Sequence, residues 1–275
     1  MLTEKPIDEQ AVIDYYFYPH TLKNTIAYFN IGELRLRKIV EKHGLKMRTC
    51  GQLNKKYSYD KDFFTKQSSN LAYFLGLMGS DGCIATNSNH IYIELQDSDS
   101  EILQDIAHAM NLTRPIKHYT TKRGYKNAKL YIEDKWLKDI LVNNWGLCSN
   151  KTYDLDNFTF PYNLEEQYWK DYIRGYFDGD GCIKDTGHTI TFQIDGFNFN
   201  LLNYIKNYLE SKLNIKVNIL TRKPDGYNHI IPLYRLYCYG ENARTVFKFI
   251  YQNPMDLFLN RKYNKYLLMT QEKGK

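Results

Sequence analysis

Residues 74–84 read FLGLMGSDGCI and residues 173–183 read IRGYFDGDGCI. Each stretch is apolar, carries a glycine near its start (Gly76 and Gly175), reaches an Asp-Gly pair, and ends in Cys-Ile. A single Asp-Gly pair is a common turn signal. Two copies, with Asp81 and Asp180 99 positions apart, form a repeat that asks for a common explanation. A glycine inside a helix costs about 1 kcal/mol relative to alanine. Close approach of two helix backbones explains its presence, since no side chain then keeps them apart. If the two motif helices cross at Gly76 and Gly175, Asp81 and Asp180 emerge side by side at their ends. Neighbouring carboxylates repel and raise each other's pKa. A divalent cation such as Mg2+ relieves that repulsion and binds readily through carboxylates, phosphate oxygens and water. Two carboxylates in this arrangement suit metal-assisted hydrolysis of a phosphodiester.

Outward from the motifs, the chain repeats. After the first motif, strands are expected near 83–85 and 90–96, the latter alternating as HIYIELQ, then a helix at 100–110. Strands near 116–121 and 128–132 and a helix at 135–143 complete the half. The second half gives strands near 182–184 and 189–194, a helix at 198–213, strands near 216–221 and 233–238, and a helix at 241–251. The fold class is therefore α+β: tandem αββαββα repeats related by a pseudo-two-fold axis, with two antiparallel sheets, plus a small all-α N-terminal domain. Domain bounds are expected at 1–66, including a polar, lysine-rich linker over 54–67, then 67–162 and 163–275.

The N-terminal region predicts helices over 7–16, 21–29 and 33–43, with Thr21 as N-cap, a tight turn at Asn30-Ile31-Gly32, and Gly44 ending the third. Helix, short glycine-containing turn, helix is the helix-turn-helix pattern. Between His20 and Lys56 stand Lys23, Arg35, Arg37, Lys38, Lys42, Lys46, Arg48, Lys55 and Lys56 against only Glu33 and Glu41. The second helix of such a motif enters the major groove by its N-terminal part, which makes Arg35, Arg37 and Lys38 candidate DNA contacts.

A two-stranded ribbon also fits the major groove. Both halves join their second strand pair by a basic segment. Lys122, Arg123, Lys126 and Lys129 stand in the first; Arg222 and Lys223 stand in the second, with Arg235 on the next strand. Gly124 and Asp225-Gly226 suit the hairpin tips. Gln96 and Gln193, on the second strand of each half, are candidates for orienting water or touching DNA. The net charge of +6 and 25 tyrosines agree with a polyanionic partner. The cysteines (Cys50, Cys83, Cys148, Cys182, Cys238) form no C-x-x-C pair, which argues against zinc-ribbon and thioredoxin-type sites. The start MLTEKPIDEQ has no secretory pattern, and no run reaches membrane-spanning length. The expectation is a reduced, soluble, intracellular, cytoplasmic monomer, with a bacterial or phage-encoded context favoured over an organelle.

The two motifs resemble those of the LAGLIDADG homing endonucleases in their single-chain, two-motif form. IRGYFDGDG (173–181) is a close match; FLGLMGSDG (74–82) is looser, with Gly79 where the family has its first acid. The resemblance implies that Asp81 and Asp180 are catalytic and hold Mg2+, aided by the backbone carbonyls of Ser80 and Gly179, with Mn2+ or Ca2+ able to substitute for binding. Asp178 is then structural. WGLCSNKT (145–152) and LNRKYNKY (259–266) resemble the segments closing each repeat, and place Lys151 and Lys262 as catalytic lysines. The activity implied is cleavage of one phosphodiester on each strand of a long non-palindromic duplex, leaving short 3′ overhangs. A cleavage-deficient DNA-binding regulator and an RNA-splicing maturase are the alternatives on the same fold.

Overall fold

The computed structural model describes residues 6–17, 20–48, 57–151, 153–223, 231–252 and 257–271. The chain forms two compact units, 1–58 and 59–275.

The first unit holds α1 (Glu9–Phe17), α2 (Leu22–Phe29) and α3 (Glu33–Lys42). Asp8 accepts from the Ala11 amide at 3.1 Å, and Thr21 accepts from the Asn24 amide at 3.1 Å, capping α1 and α2. Asn30 ends α2 in the left-handed region (φ 50), so the chain turns within three residues into α3. Gly44 (φ 70) closes α3, its amide reaching Glu41 O and the next reaching Val40 O. Val12, Ile13, Tyr16, Ile31, Leu36, Ile39 and Val40 form the core of the unit. The expected helices and caps are present.

The second unit opens with α4 (Asp62–Thr65), where a linker was expected. Phe63 and Phe64 are buried and meet Phe74 edge-on, and Trp145 donates its indole N–H to Phe64 O at 3.0 Å. The polar flanks had concealed an apolar pair that belongs to the second core. The unit boundary accordingly lies at Ser58–Tyr59 rather than at 66–67. The proposed linker's residues 54–56 lie outside the described residues.

The first repeat continues with α5 (Ser69–Ser80), β1 (Gly82–Ile84), β2 (His90–Gln96), α6 (Ser100–Ala109), β3 (Lys117–Thr120), β4 (Lys126–Glu133) and α7 (Lys135–Asn143). The second follows with α8 (Trp169–Asp180), β5 (Gly181–Asp185), β6 (Ile190–Gly196), α9 (Phe199–Leu213), β7 (Asn218–Arg222), β8 (Leu233–Tyr239) and α10 (Glu241–Tyr251). Each repeat makes a four-stranded antiparallel sheet of the same order, β1-β2-β4-β3 and β5-β6-β8-β7. Ile91 and Ile93, and Ile190, Phe192 and Ile194, face the core. The alternate residues form the open faces, as strand periodicity requires. A last helix, α11 (Asn260–Gln271), lies where only a closing segment was expected. Its polar sequence carries little periodic signal, and it is fixed by specific side chains instead. Tyr263 and Tyr266 pack on Tyr251, and Lys262 is buried.

No helix among the described residues is long and apolar enough to cross a membrane. The described cysteines, Cys83, Cys148, Cys182 and Cys238, are free thiols; Cys50 and the hairpin tip at Asp225-Gly226 lie outside the described residues.

Candidate active site

The two motif helices, α5 and α8, cross with backbone touching backbone. A Cβ on Gly76 would collide with Tyr172 O and lie 2.6 Å from Tyr176 N; one on Gly175 would collide with Tyr73 O and lie 3.0 Å from Leu77 N. Residues 71–80 are buried throughout, so α5 is a core element rather than an amphipathic surface helix.

The crossing brings the two carboxyl-bearing ends together. Asp81 caps α5, its amide reaching Leu77 O at 2.9 Å, and Asp180 is the last residue of α8. A Cβ on Gly179 would lie 2.8 Å from Asp81 Oδ2, so the Asp81 carboxylate rests against the end of the opposite helix. Both carboxyls are pushed upward, chiefly by burial. For Asp180 the Asp81 charge adds to this and Lys151 and Lys262 oppose it, leaving it at about 7. Asp180 nonetheless keeps a solvent-exposed face. It lines a cleft of about 310 Å3 with Gly79, Ser80, Lys151, Tyr176 and Asp195. The carboxylate is thus walled by protein on most sides and open on one.

Lys151 and Lys262 are not surface lysines. Lys151 Nζ donates to Met78 O at 3.0 Å and to Ser80 O, at the end of α5. Lys262 Nζ donates to Phe177 O (2.6 Å), Asp178 O (2.8 Å), Gly179 O (3.3 Å) and Gly181 O (2.6 Å), at the end of α8. Each ammonium binds orphan carbonyls at the negative end of a helix dipole. Burial pulls both down to about 8 against the pull of the nearby aspartates. The Ser80 and Gly179 carbonyls, expected as metal donors, each already accept from a lysine on one lone pair. Lys262→Met should cost about 3 kcal/mol, because four carbonyls lose their donor in a buried place. Lys151→Met, with two carbonyls and a half-exposed side chain, should cost about 1 kcal/mol. Urea denaturation of both variants measures the difference, and equal losses would contradict this assignment of the lysines.

Asp178 is a structural hub. It is fully buried and accepts from Tyr73 Oη (2.8 Å), the Leu259 amide (2.8 Å) and Tyr251 Oη. Gly79 holds the matching place in the first motif, and Tyr172 matches Tyr73. Among the described residues the buried Tyr172 hydroxyl has no partner. The missing acid therefore leaves a measurable trace. Tyr172→Phe should be neutral or stabilising by up to about 1 kcal/mol, whereas Tyr73→Phe should destabilise by about 1–3 kcal/mol. Thermal melts of the pair test this, and a Tyr172→Phe loss as large as that of Tyr73→Phe would refute it.

The open sheet faces are asymmetric in detail. Gly82 faces Ile93, and Gly181 faces Ile194, so Glu94 and Asp195 are equivalent. Each holds the cation across from it: Lys129 Nζ lies 2.6 Å from Glu94, and Arg235 binds both Asp195 oxygens at 2.8 Å. Burial pushes Glu94 up, but hydrogen bonds from Lys129, Tyr119 and Asn127 outweigh it and hold the carboxyl at about 2. Gln96 and Gln193 are not equivalent, as matching strands had implied. Gln193 stands where the first sheet has Tyr92, is buried, and donates to both Asp195 oxygens at 3.0 Å; Gln96 is exposed. Lys122, Arg123, Lys126, Arg222 and Lys223 are exposed. In the first unit, Lys38 is exposed, Arg35 is half-buried, and Arg37 is exposed with a 2.9 Å bridge to Glu33. Some of the many tyrosines serve the core rather than the surface: Tyr16, Tyr73, Tyr172, Tyr176 and Tyr251 are buried.

Sequence reading missed Arg261 and Asp99. Arg261 Nε binds both Asp99 oxygens at 3.1 and 2.9 Å, and both charges act on Asp81. The Arg-Lys dipeptide at 261–262 was a signal for it. Among the described residues, no three His, Cys, Asp or Glu side chains gather into a metal cluster. A cation at these helix ends would meet the carboxylates of Asp81 and Asp180, backbone carbonyls and water. Hard oxygen donors of this kind fit Mg2+.

The model of the LAGLIDADG-like domain matches residues 170–251. The uncharacterized protein MJ0398 of Methanocaldococcus jannaschii is 24% identical over 241 residues, 82% of this chain and 80% of that protein. Among solved structures, the chain is similar to the homing endonuclease I-WcaI bound to its DNA recognition sequence: 14% identity, 81% of this chain and 97% of that one, TM-score 0.49. It is also similar to the N-terminal LAGLIDADG domain of DUF199/WhiA: 15% identity, 69% of this chain and 86% of that one, TM-score 0.43. Residues 170–251 thus match a LAGLIDADG-like domain, and the first repeat has a motif helix and a strand order like those of the second.

Proposed function

We propose that this chain is a site-specific endonuclease that binds double-stranded DNA as a monomer and hydrolyses one phosphodiester on each strand, leaving short 3′ overhangs. The observation that carries the reading is the meeting of Asp81 and Asp180 at the ends of two crossed helices, between two sheets whose open faces and hairpins carry Lys122, Arg123, Lys126, Lys129, Arg222, Lys223 and Arg235. The first unit, with Arg35, Arg37 and Lys38 on α3, adds affinity for the duplex.

Asp81 and Asp180 would hold Mg2+, with the second lone pairs of the Ser80 and Gly179 carbonyls as further donors. A divalent cation there supplies neutralisation of phosphate charge and acidification of water. The protein's own part is placement. The glycine crossing fixes the carboxylates, and Lys151 and Lys262 brace the helix ends and keep positive charge beside the phosphate. For each strand, a water oxygen bonds to phosphorus and the P–O3′ bond breaks. The water proton leaves to solvent, O3′ takes up a proton, and a 5′-phosphate and a 3′-hydroxyl result.

A binding-only regulator is the second reading, favoured by the lysines already seated on the Ser80 and Gly179 carbonyls. Duplexes selected by binding from a randomised pool in Ca2+ and then moved to Mg2+ or Mn2+ separate the two. Cleavage at a fixed position supports the endonuclease; specific shifts without any cut support the regulator.

A further inference from the structure

We infer that the Tyr176 hydroxyl positions the hydrolytic water beside Asp180. The inference rests on the endonuclease reading above. Tyr176 is 3% exposed and lines the same cleft as Asp180. Asp180 follows it by one turn on α8, so the two side chains share a face of the helix. A buried hydroxyl is ordinarily hydrogen-bonded. Among the described residues the Tyr176 hydroxyl makes no hydrogen bond. Burial, and after it the Asp180 charge, push its pKa well above the ordinary tyrosine value, so it stays a proton donor. A donor that feels Asp180 without touching it, across a polar cleft, is bridged to it by a water.

The second repeat makes room for this hydroxyl. Leu77 holds the matching position of the first motif. Gly82 faces Ile93 and Gly181 faces Ile194, so Gly196 matches Leu95. Two leucines of the first repeat are thus a tyrosine and a glycine in the second. The exchange is complementary, because a Cβ on Gly196 would lie 3.3 Å from Tyr176 Oη, tighter than ordinary contact. Gly79 clears the ring in the same way, since a Cβ there would lie 3.1 Å from Tyr176 Cδ2. In the bridge, Tyr176 Oη donates to the water oxygen and the water donates one proton to Asp180. The remaining lone pair of the water is aimed at phosphorus. Tyr176 keeps its own proton, so the balance of the hydrolysis given above is unchanged. Holding a nucleophile in its reactive orientation can be worth about two orders of magnitude in rate.

The test uses the full-length protein and a selected duplex, followed in Mg2+ under single-turnover conditions, with duplex affinity in Ca2+ and melting temperature measured alongside. Tyr176→Phe keeps the ring and removes only the hydroxyl. It should slow cleavage of the bound duplex by about 10- to 100-fold while holding affinity within about three-fold. Its melting temperature should stay level or rise, because no hydrogen bond within the protein is lost. Tyr172→Phe removes another buried hydroxyl without a partner, one that lines no part of the cleft, and should cut at the wild-type rate. Gly196→Ala should slow cleavage in the wild type but not in the Tyr176→Phe background, since its methyl crowds the hydroxyl. A wild-type rate in Tyr176→Phe, or an equal slowing in Tyr172→Phe, overturns the inference and leaves the endonuclease reading intact. A slower rate that comes with weaker binding and a lower melting temperature also overturns it, because it marks a packing role. No cut by the wild type overturns both.

Discussion

Asp180→Asn is expected to lose DNA cleavage by about three orders of magnitude or more while holding its selected duplex within about three-fold of wild-type affinity. The same change should stabilise the protein. Burial and the Asp81 charge hold the Asp180 carboxyl at about 7, well above the ordinary carboxylate range. The fold therefore prefers the neutral acid. The stability this group contributes is fully present below its unfolded pKa of about 4 and is lost as pH rises through about 7. Asparagine never ionises. In EDTA, the melting temperature of Asp180→Asn should exceed that of wild type at pH 8, and the gap should close toward pH 4. The exposed face of Asp180 screens part of the repulsion, so the gap is smaller than for a fully enclosed carboxyl. Adding Ca2+ at pH 8 should raise the wild type and leave the variant nearly unmoved, because a ligand stabilises only the form that binds it. A variant that cuts at the wild-type rate, or a Ca2+ shift equal in both proteins, would remove Asp180 from the metal site. The three readouts separate a lost cation site from general damage, since damage lowers the melting temperature at every pH.

The crossing, the succession of helices and strands in each repeat and the places of Asp81 and Asp180 at the ends of the motifs were legible because they depend on patterns repeated in the chain. Gly76 and Gly175 declare themselves by being costly in helices, and HIYIELQ by strict alternation. What stayed hidden depends on single side chains reaching across the fold. Nothing local distinguishes Lys262 from the lysines around it in NRKYNKY, yet it alone of that segment's lysines is buried beneath four carbonyls. Phe63 and Phe64 looked like part of a polar linker because their neighbours are Asp, Lys and Thr. Their burial is decided by Phe74 and Trp145, far along the chain. The glutamines on β2 and β6 show the same limit in register. Both fall on matching strands, but only the pairing of Gly82 with Ile93 and Gly181 with Ile194 reveals that Gln193 matches Tyr92. The role of Asp178 could be read only as structural, because its three partners come from α5, from α10 and from Leu259 just before α11.

Gly175→Ala should destabilise the second unit by about 3 kcal/mol or more. The added methyl would collide with Tyr73 O and sit 2.9 Å from Tyr73 C and 3.0 Å from Leu77 N. These atoms are backbone of a fully buried helix, so no side chain can swing away to make room. Better helix propensity returns only about 1 kcal/mol. The remaining way out is to push α5 and α8 apart, which opens the core along the whole crossing and separates Asp81 from Asp180. Cleavage should therefore fall with stability, even in the fraction still folded. Gly32→Ala supplies the contrast, since a Cβ there meets nothing within 4 Å, and its effect should stay within about 1 kcal/mol. Gly76→Ala should cost as much as Gly175→Ala. The double variant should cost less than the sum, because one separation of the helices relieves both clashes. Urea titrations with unchanged slopes would give these values directly. A loss under about 1 kcal/mol for Gly175→Ala would mean that the helices slide past one another freely, and that the glycine crossing does not fix the distance between the two carboxylates.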